Sequence, residues 1–356
     1  MPEARDLLRS AIENVRPDPG AFERQGARQR RAARNRKLGA FAAAAAIMAA
    51  LALLFAVTRP SGDGRVPATR SSSYPVPSTQ QPIIVGLDGT TRDLQGIPVD
   101  AYSLNVSPDG RRIVFVADQN GSPQIGTIGV DGSGSRFITQ VAPVSIAQGV
   151  LRGPLTPVWS PAGSRIAFSN GHIYVMNADG SGLKQLTSGF GDDQWPSWSP
   201  DGSTIAYSNS GSFPLDDNAF SVTQEIWTVP ASGGTPRRLT NGGGNDTPAY
   251  SPDGARTAFE NGGGIFLMDA NGQNPHLIRS LPTSAFCPRW SPDGKSLAYL
   301  HFSGRYSHDG IPLERVSLVR LSSGAIGGIP GLVAGAKNAV QWLPSGSALL
   351  ENRYIG

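Results

Sequence analysis

The sequence predicts an all-β fold: a six-bladed β-propeller closed by N- and C-terminal strands of the same blade and preceded by one transmembrane helix. Three observations predict it. A Ser-Pro-x-Gly turn, usually preceded by an aromatic residue and followed by short apolar runs, recurs through residues 82–356. The last copy, after Trp342, is cut short, and its missing half stands at the other end, at residues 82–94. Ahead of the repeats lies a run of twenty uncharged residues, 38–57.

The repeat is clearest at residues 156–187. A turn at Ser160–Gly163 leads to Ile166-Ala167-Phe168, a second run Ile173–Met176, an Asp179-Gly180 turn and a closing Leu186-Thr187. Four short strands joined by three turns make a small antiparallel sheet. Such a sheet is apolar on both faces and must stack on its copies. The residues before the turn are Val106, Trp159, Trp198, Tyr250, Trp290 and Trp342. Their unequal spacing places the extra length in loops. Ser-Pro-Asp-Gly is intact at 107–110, 199–202, 251–254 and 291–294, and altered at 160–163 and 343–346. Pro suits the second position of a type I turn, and Gly accepts the left-handed conformation that follows. The variants keep Pro and Gly and lose Asp, so geometry explains the motif better than charge.

Pro82–Leu94, with its Asp88-Gly89 turn, reads as the second half of a repeat. Joined to Ala348–Tyr354, it completes a sixth sheet and removes the exposed edge of an open array. These residues, WSPDG followed by IAF or IAY, IYVMNADGSG and LT, resemble the TolB-like, WD-like propeller repeats over 82–356. The resemblance implies the fold. It leaves function open, because that family includes periplasmic scaffolds, gating domains of oligopeptidases and sensor domains on anchored chains.

Residues 1–37 carry ten basic and five acidic groups. Leu8, Ala11, Ile12 and Val15 share one helical face, which Pro17 and Pro19 end. Residues 38–57 are long enough to cross a bilayer core of ~30 Å at ~1.5 Å per residue. A cleaved signal peptide and a buried helix are the competing readings. The long basic leader argues against the first, and a propeller has no place for the second. The positive flank keeps the N-terminus cytoplasmic and puts the propeller outside the cytoplasmic membrane. Residues 58–81 are a tether rich in Ser, Pro and Thr. The net charge of +4 conceals a propeller that is mildly acidic, with eighteen basic and twenty-one acidic groups in 82–356. No nucleic-acid partner is expected.

No serine has glycine at both −2 and +2, and no metal-binding or phosphate-loop motif occurs. The expectation is a non-enzyme without cofactor. Calcium held by loop oxygens is a minor alternative, and a zinc site near His301 and His308 lacks further ligands. The lone Cys287 reads as a small buried residue. Two binding surfaces are candidates. One is the channel mouth, where the loops feeding first strands carry Asp100, Asp192, Asp193, Gln194, Trp195, Asp246 and Asn338. Acids from separate blades attract a cation or a basic segment; solvated loop ends are the plainer reading. The other is the long insertions Gln140–Pro154, Ser208–Gln224 and Phe302–Leu313. The function expected is a membrane-anchored module that binds a protein or cell-envelope component. The alternatives are a transmembrane sensor or anti-sigma-like regulator, with residues 1–16 docking a cytoplasmic partner, and a lactonase- or glycosidase-type enzyme using Asp193 and Asp246.

Overall fold

The computed structural model describes residues 80–354 apart from 99, 140–143, 146–150, 153–154, 190, 217–218, 263, 279–280, 283, 307–311 and 335–339. The basic segment, the 38–57 span and nearly all of the tether lie outside the described residues. Among those described there is no helix.

The chain enters on β1 (Gln80–Gly86) and turns at Asp88-Gly89 into β2 (Thr91–Asp93). Blade 1 follows as β3 (Tyr102–Val106), β4 (Arg112–Gln119), β5 (Ser122–Gly129) and β6 (Arg136–Phe137). A two-stranded hairpin, β7 (Val144–Ser145) and β8 (Leu151–Arg152), stands between blades 1 and 2 in sequence. Blade 2 is β9 (Leu155–Trp159), β10 (Arg165–Ser169), β11 (Ile173–Asn177) and β12 (Lys184–Gln185). Blade 3 is β13 (Asp192–Trp198), β14 (Thr204–Asp216), β15 (Ala219–Pro230) and β16 (Arg237–Arg238). Blade 4 is β17 (Asn245–Tyr250), β18 (Arg256–Asn261), β19 (Gly264–Asp269) and β20 (His276–Leu277). Blade 5 is β21 (Phe286–Trp290), β22 (Ser296–Tyr306), β23 (Pro312–Arg320) and β24 (Ile326–Ala334). The chain closes with β25 (Gln341–Trp342) and β26 (Ala348–Tyr354).

Blade 6 takes strands from both ends of the fold, in the order β25-β26-β1-β2. β1 pairs with β26 antiparallel at every position from Gln80↔Tyr354 to Gly86↔Ala348. The innermost strands contact one another in a closed cycle, β3–β9–β13–β17–β21–β25–β3. The fold is therefore a six-bladed propeller. The Pro-Gly turns trace the same circle. Each turn glycine lies against the turn proline of the preceding blade, and Gly110 lies against Pro344 where blade 6 meets blade 1. The turn aspartate does more than occupy space. In blade 3, the Asp201 carboxylate accepts Ser199 Oγ–H at 2.5 Å and the Ser203 amide at 3.0 Å. These bonds hold its pKa down to about 2.

The core lies between blades. Ile84, Leu104, Ile113, Phe115 and Leu350 pack blade 6 on blade 1. Polar clasps reinforce the joints. Trp159 donates its indole N–H to the Asn105 carbonyl of the preceding blade at 3.2 Å, and Trp198, Trp290 and Trp342 do the same to Val158, Ala249 and Arg289. At three joints the preceding blade also lays an arginine over the ring. The pairs are Arg112 on Trp159 at 4.7 Å, Arg165 on Trp198 at 4.8 Å and Arg256 on Trp290 at 5.0 Å. Each arginine stands two residues after the turn glycine, at the start of the second strand, which fixes its reach toward the next blade.

The insertions differ from their sequence reading: Gln140–Pro154 contains the β7–β8 hairpin, β22 and β23 pair through Phe302↔Glu314 out to Tyr306↔Pro312, and the longest extension is in blade 3. Ser208–Gln224 reads as a loop, yet β14 and β15 stay paired from Thr204↔Pro230 out to Asp216↔Ala219. Cross-strand pairing gives backbone groups of the extension partners that a loop would leave to water.

Candidate rim of the central channel

The loops feeding the innermost strands open on the face opposite the Ser-Pro turns, because each first strand ends in such a turn. Asp100 precedes β3, Asp192, Asp193, Gln194 and Trp195 begin β13, and Asp246 lies at the start of β17. β13 and β17 are neighbours, so their acids share one part of the rim. Asp100 stands two blades from β13. Asn338 lies outside the described residues.

The side chains divide by environment. Asp193 is 3 % exposed. Its carboxylate accepts Thr187 Oγ–H at 2.5 Å and Asn209 Nδ2–H at 2.7 Å, and His172 Nδ1 lies 3.2 Å away. Asp100, Asp192 and Asp246 are half-buried. Asp100 accepts the Asp118 amide at 2.8 Å. Asp192 accepts Gln194 Nε2–H at 2.5 Å. Asp246 accepts its neighbour's amide, Thr247 N–H, at 2.8 Å and Gln224 Nε2–H at 3.2 Å. Burial pushes the Tyr102 phenol up to about 12, with Asp100 and Asp118 adding to the shift.

Every described inner strand longer than two residues carries a bulge that the sequence does not announce. Ser103, Thr156, Trp195, Thr247 and Cys287 all have φ near +50°, three residues before the turn-side aromatic or valine. The strand pairing slips a register at each of these places. The residue types share nothing, so only the recurrence of position could signal the bulge. Left-handed non-glycine residues store strain that the surrounding sheet must hold. The hydroxyls of Ser103 and Thr247 are buried there without a hydrogen-bond partner. Cys287 is buried as expected, and burial pushes its thiol up to about 12.

Sequence reasoning also missed Glu225, which is fully buried. It accepts Thr240 Oγ–H at 2.7 Å, Asn245 Nδ2–H at 2.9 Å, the Gly243 amide at 3.0 Å and Arg238 Nη2–H at 3.0 Å. The signal was the repeated Leu-Thr ending. Thr139, Thr187 and Thr240 each accept an amide from the third strand, at Ile125, Ile173 and Ile226. Each donates to an acid or amide, namely Gln124, Asp193 or Glu225. Asp193 and Glu225 therefore serve the outer-strand closure of the blades. Among the described residues no group of three His, Cys, Asp or Glu is arranged to hold a metal ion.

Fold and rim define a closed six-bladed propeller whose polar rim is built from the leading ends of its inner strands. No family model matches the chain. A TolB homolog from Chlorobium chlorochromatii (strain CaD3) is 34 % identical over 152 residues, which are 42 % of this chain and 31 % of that protein. The chain thus spans about a third of the length of that curated relative. A structure described as TolB from Agrobacterium tumefaciens superposes with a TM-score of 0.60 at 20 % identity, over 78 % of this chain and 99 % of that one. TolB from Acinetobacter baumannii gives 0.52 at 17 % identity, over 79 % and 65 %. At these identities the likeness is one of fold.

Proposed function

We propose that this chain is a non-catalytic, protein-binding propeller held outside the cytoplasmic membrane by residues 38–57, with residues 1–37 inside. It engages a basic segment of a cell-envelope protein through the rim. One observation carries the reading: Asp192 and Asp246 stand half-buried on adjacent inner strands, beside Gln194 and Trp195. Carboxylates that begin adjacent strands, over a low-dielectric wall, attract a cationic segment. The likeness to TolB supports a binding role. Asp193, one of the acid pair with Asp246, is enclosed by Thr187 and His172 of blade 2 and Asn209 of blade 3, and this speaks against an acid–base site.

The test is site-specific photocrosslinking of the full chain in its native membrane. A crosslinker at Trp195 is expected to give one discrete adduct that fades when Asp192 and Asp246 are both changed to Asn. A crosslinker at Leu183, an exposed residue ahead of an outer strand, is expected to give none. The same adducts from both positions would refute the rim as the binding surface. Alkaline washing should leave the chain in the membrane, and deletion of 38–57 should release it; release of the intact chain refutes the anchor.

A further inference from the structure

Three of the six joints carry an arginine clasp; the joint between blades 3 and 4 carries none, and neither do the two that follow blades 5 and 6, where Ser296 and Ala348 hold the position. Where Arg112, Arg165 and Arg256 cover the ring of the next blade, blade 3 has Thr204. The aromatic partner remains, as Tyr250. Trp159, Trp198, Trp290 and Trp342 are all buried, but Tyr250 is half-buried. The apolar core of this joint is also the thinnest among the described residues: Ile226, Phe259 and Met268 are its buried members, against seven or more at each other joint.

A cleft of about 890 Å³ opens at the joint between blades 3 and 4, lined by Thr204, Tyr250, Asp201, Asp253, Thr228 and Arg237 among others. Both aspartates belong to the Ser-Pro-Asp-Gly turns of the two blades and are held ionised by their turn serines and following amides. With Arg237 as the only other charged lining group, the cleft carries an excess of one negative charge. An aromatic face flanked by carboxylates, at a place where three sibling joints each hold a guanidinium, is complementary to that group in both shape and charge.

We propose that the blade 3–blade 4 cleft is a docking seat for an arginine side chain of a partner protein, with the guanidinium over Tyr250 between Asp201 and Asp253. The seat lies on the Ser-Pro-turn face, opposite the rim, so it stands or falls independently of rim binding. A planar guanidinium reproduces the intramolecular clasp of the three arginine joints. An ammonium, more tightly hydrated and without a planar face, fits it less well.

Thr204→Arg supplies the missing side chain from within and serves as the decisive variant. The probe is a fluorescein-labelled peptide, acetyl-Gly-Arg-Gly-Arg-Gly, titrated into the full chain by fluorescence anisotropy. Matched peptides carry lysine or citrulline in place of arginine. Thr204→Arg is expected to weaken arginine-peptide binding by about tenfold or more, and Tyr250→Leu by several-fold. Thr204→Arg should also raise the melting temperature, because it restores a clasp. Arg256→Thr, which uncovers Trp290 at the next joint, is expected to add a second binding event. Unchanged binding by Thr204→Arg, equal binding of the citrulline or lysine peptide, or no binding of the arginine peptide by the parent chain each overturns the proposal. Should Thr204→Arg fail to fold, unchanged binding by Tyr250→Leu overturns it equally.

Discussion

Replacing Gly180 by alanine tests how closely the blades approach. Gly180 ends the Asp179-Gly180 turn of blade 2 at φ +93°, and a Cβ built there would lie 2.0 Å from the Ile138 carbonyl oxygen of blade 1. Real Cβ contacts essentially never fall under 3.0 Å, so backbone in one blade must retreat by about 1 Å or more. Two costs add. Positive φ disfavours an L side chain by ~1–2 kcal/mol, and forcing packed structure apart costs a further ~1–3 kcal/mol. Gly134 provides the control. It also has positive φ, at +64°, but a Cβ there meets nothing within 4 Å. Gly134→Ala is thus expected to show only the first cost. Urea denaturation of both variants and the parent gives the comparison. Gly180→Ala should be the less stable by about 1–3 kcal/mol. Equal losses would refute the argument that inter-blade contact, beyond backbone conformation, fixes this glycine.

Two further outcomes are expected. Deleting residues 82–95 removes β2 and most of β1, takes the buried Ile83, Ile84, Val85 and Leu94 out of the core and strips β26 of five of its seven ladder positions, leaving Leu349 and Leu350 uncovered. The truncated chain should lose its cooperative melt or melt far below the parent, by circular dichroism; a melt at the parent temperature would contradict closure. The Ser199 and Ser203 hydrogen bonds hold the folded Asp201 carboxyl down to about 2, below the ~3.9 of a free aspartate. Its folded pKa is depressed, so its contribution is present above about pH 4 and fades as the pH falls toward 2. Carboxyl-carbon NMR should place its midpoint there, and Ser199→Ala should move that midpoint upward.

Much of the fold was legible because the repeat encodes it twice, in turn chemistry and in apolar runs. The Asp88-Gly89 turn, stranded ahead of the first full copy, was enough to foresee that residues 82–94 and Ala348–Tyr354 share one sheet, as β1 and β26 do. The bulges were not legible. Ser103, Thr156, Trp195, Thr247 and Cys287 adopt one strained conformation through their place in the sheet, and no residue type enforces it. The length of the β14–β15 hairpin was missed because Gly211, Pro214, Asp216 and Asp217 are loop-forming residues locally, overridden up to Asp216 by cross-strand pairing. At the rim, Asp193 looked like its neighbours in sequence. Its burial depends on Thr187, just past the outer strand of blade 2, and on Asn209 of β14, sixteen residues away, and the fold alone brings these together around it. Arg112, Arg165 and Arg256, two places after their turn glycines, were in plain view. Their meaning required knowing that the next blade's tryptophan lies beneath them.

The ladder that closes the ring has a mechanical side. The chain reaches the fold at Gln80, already paired with Tyr354, and stays paired for all of β1. A pull applied along that strand from residue 80 loads seven rungs together in shear, where a pull across it would peel them one by one. The seam of the toroid therefore doubles as its best point of suspension under tension.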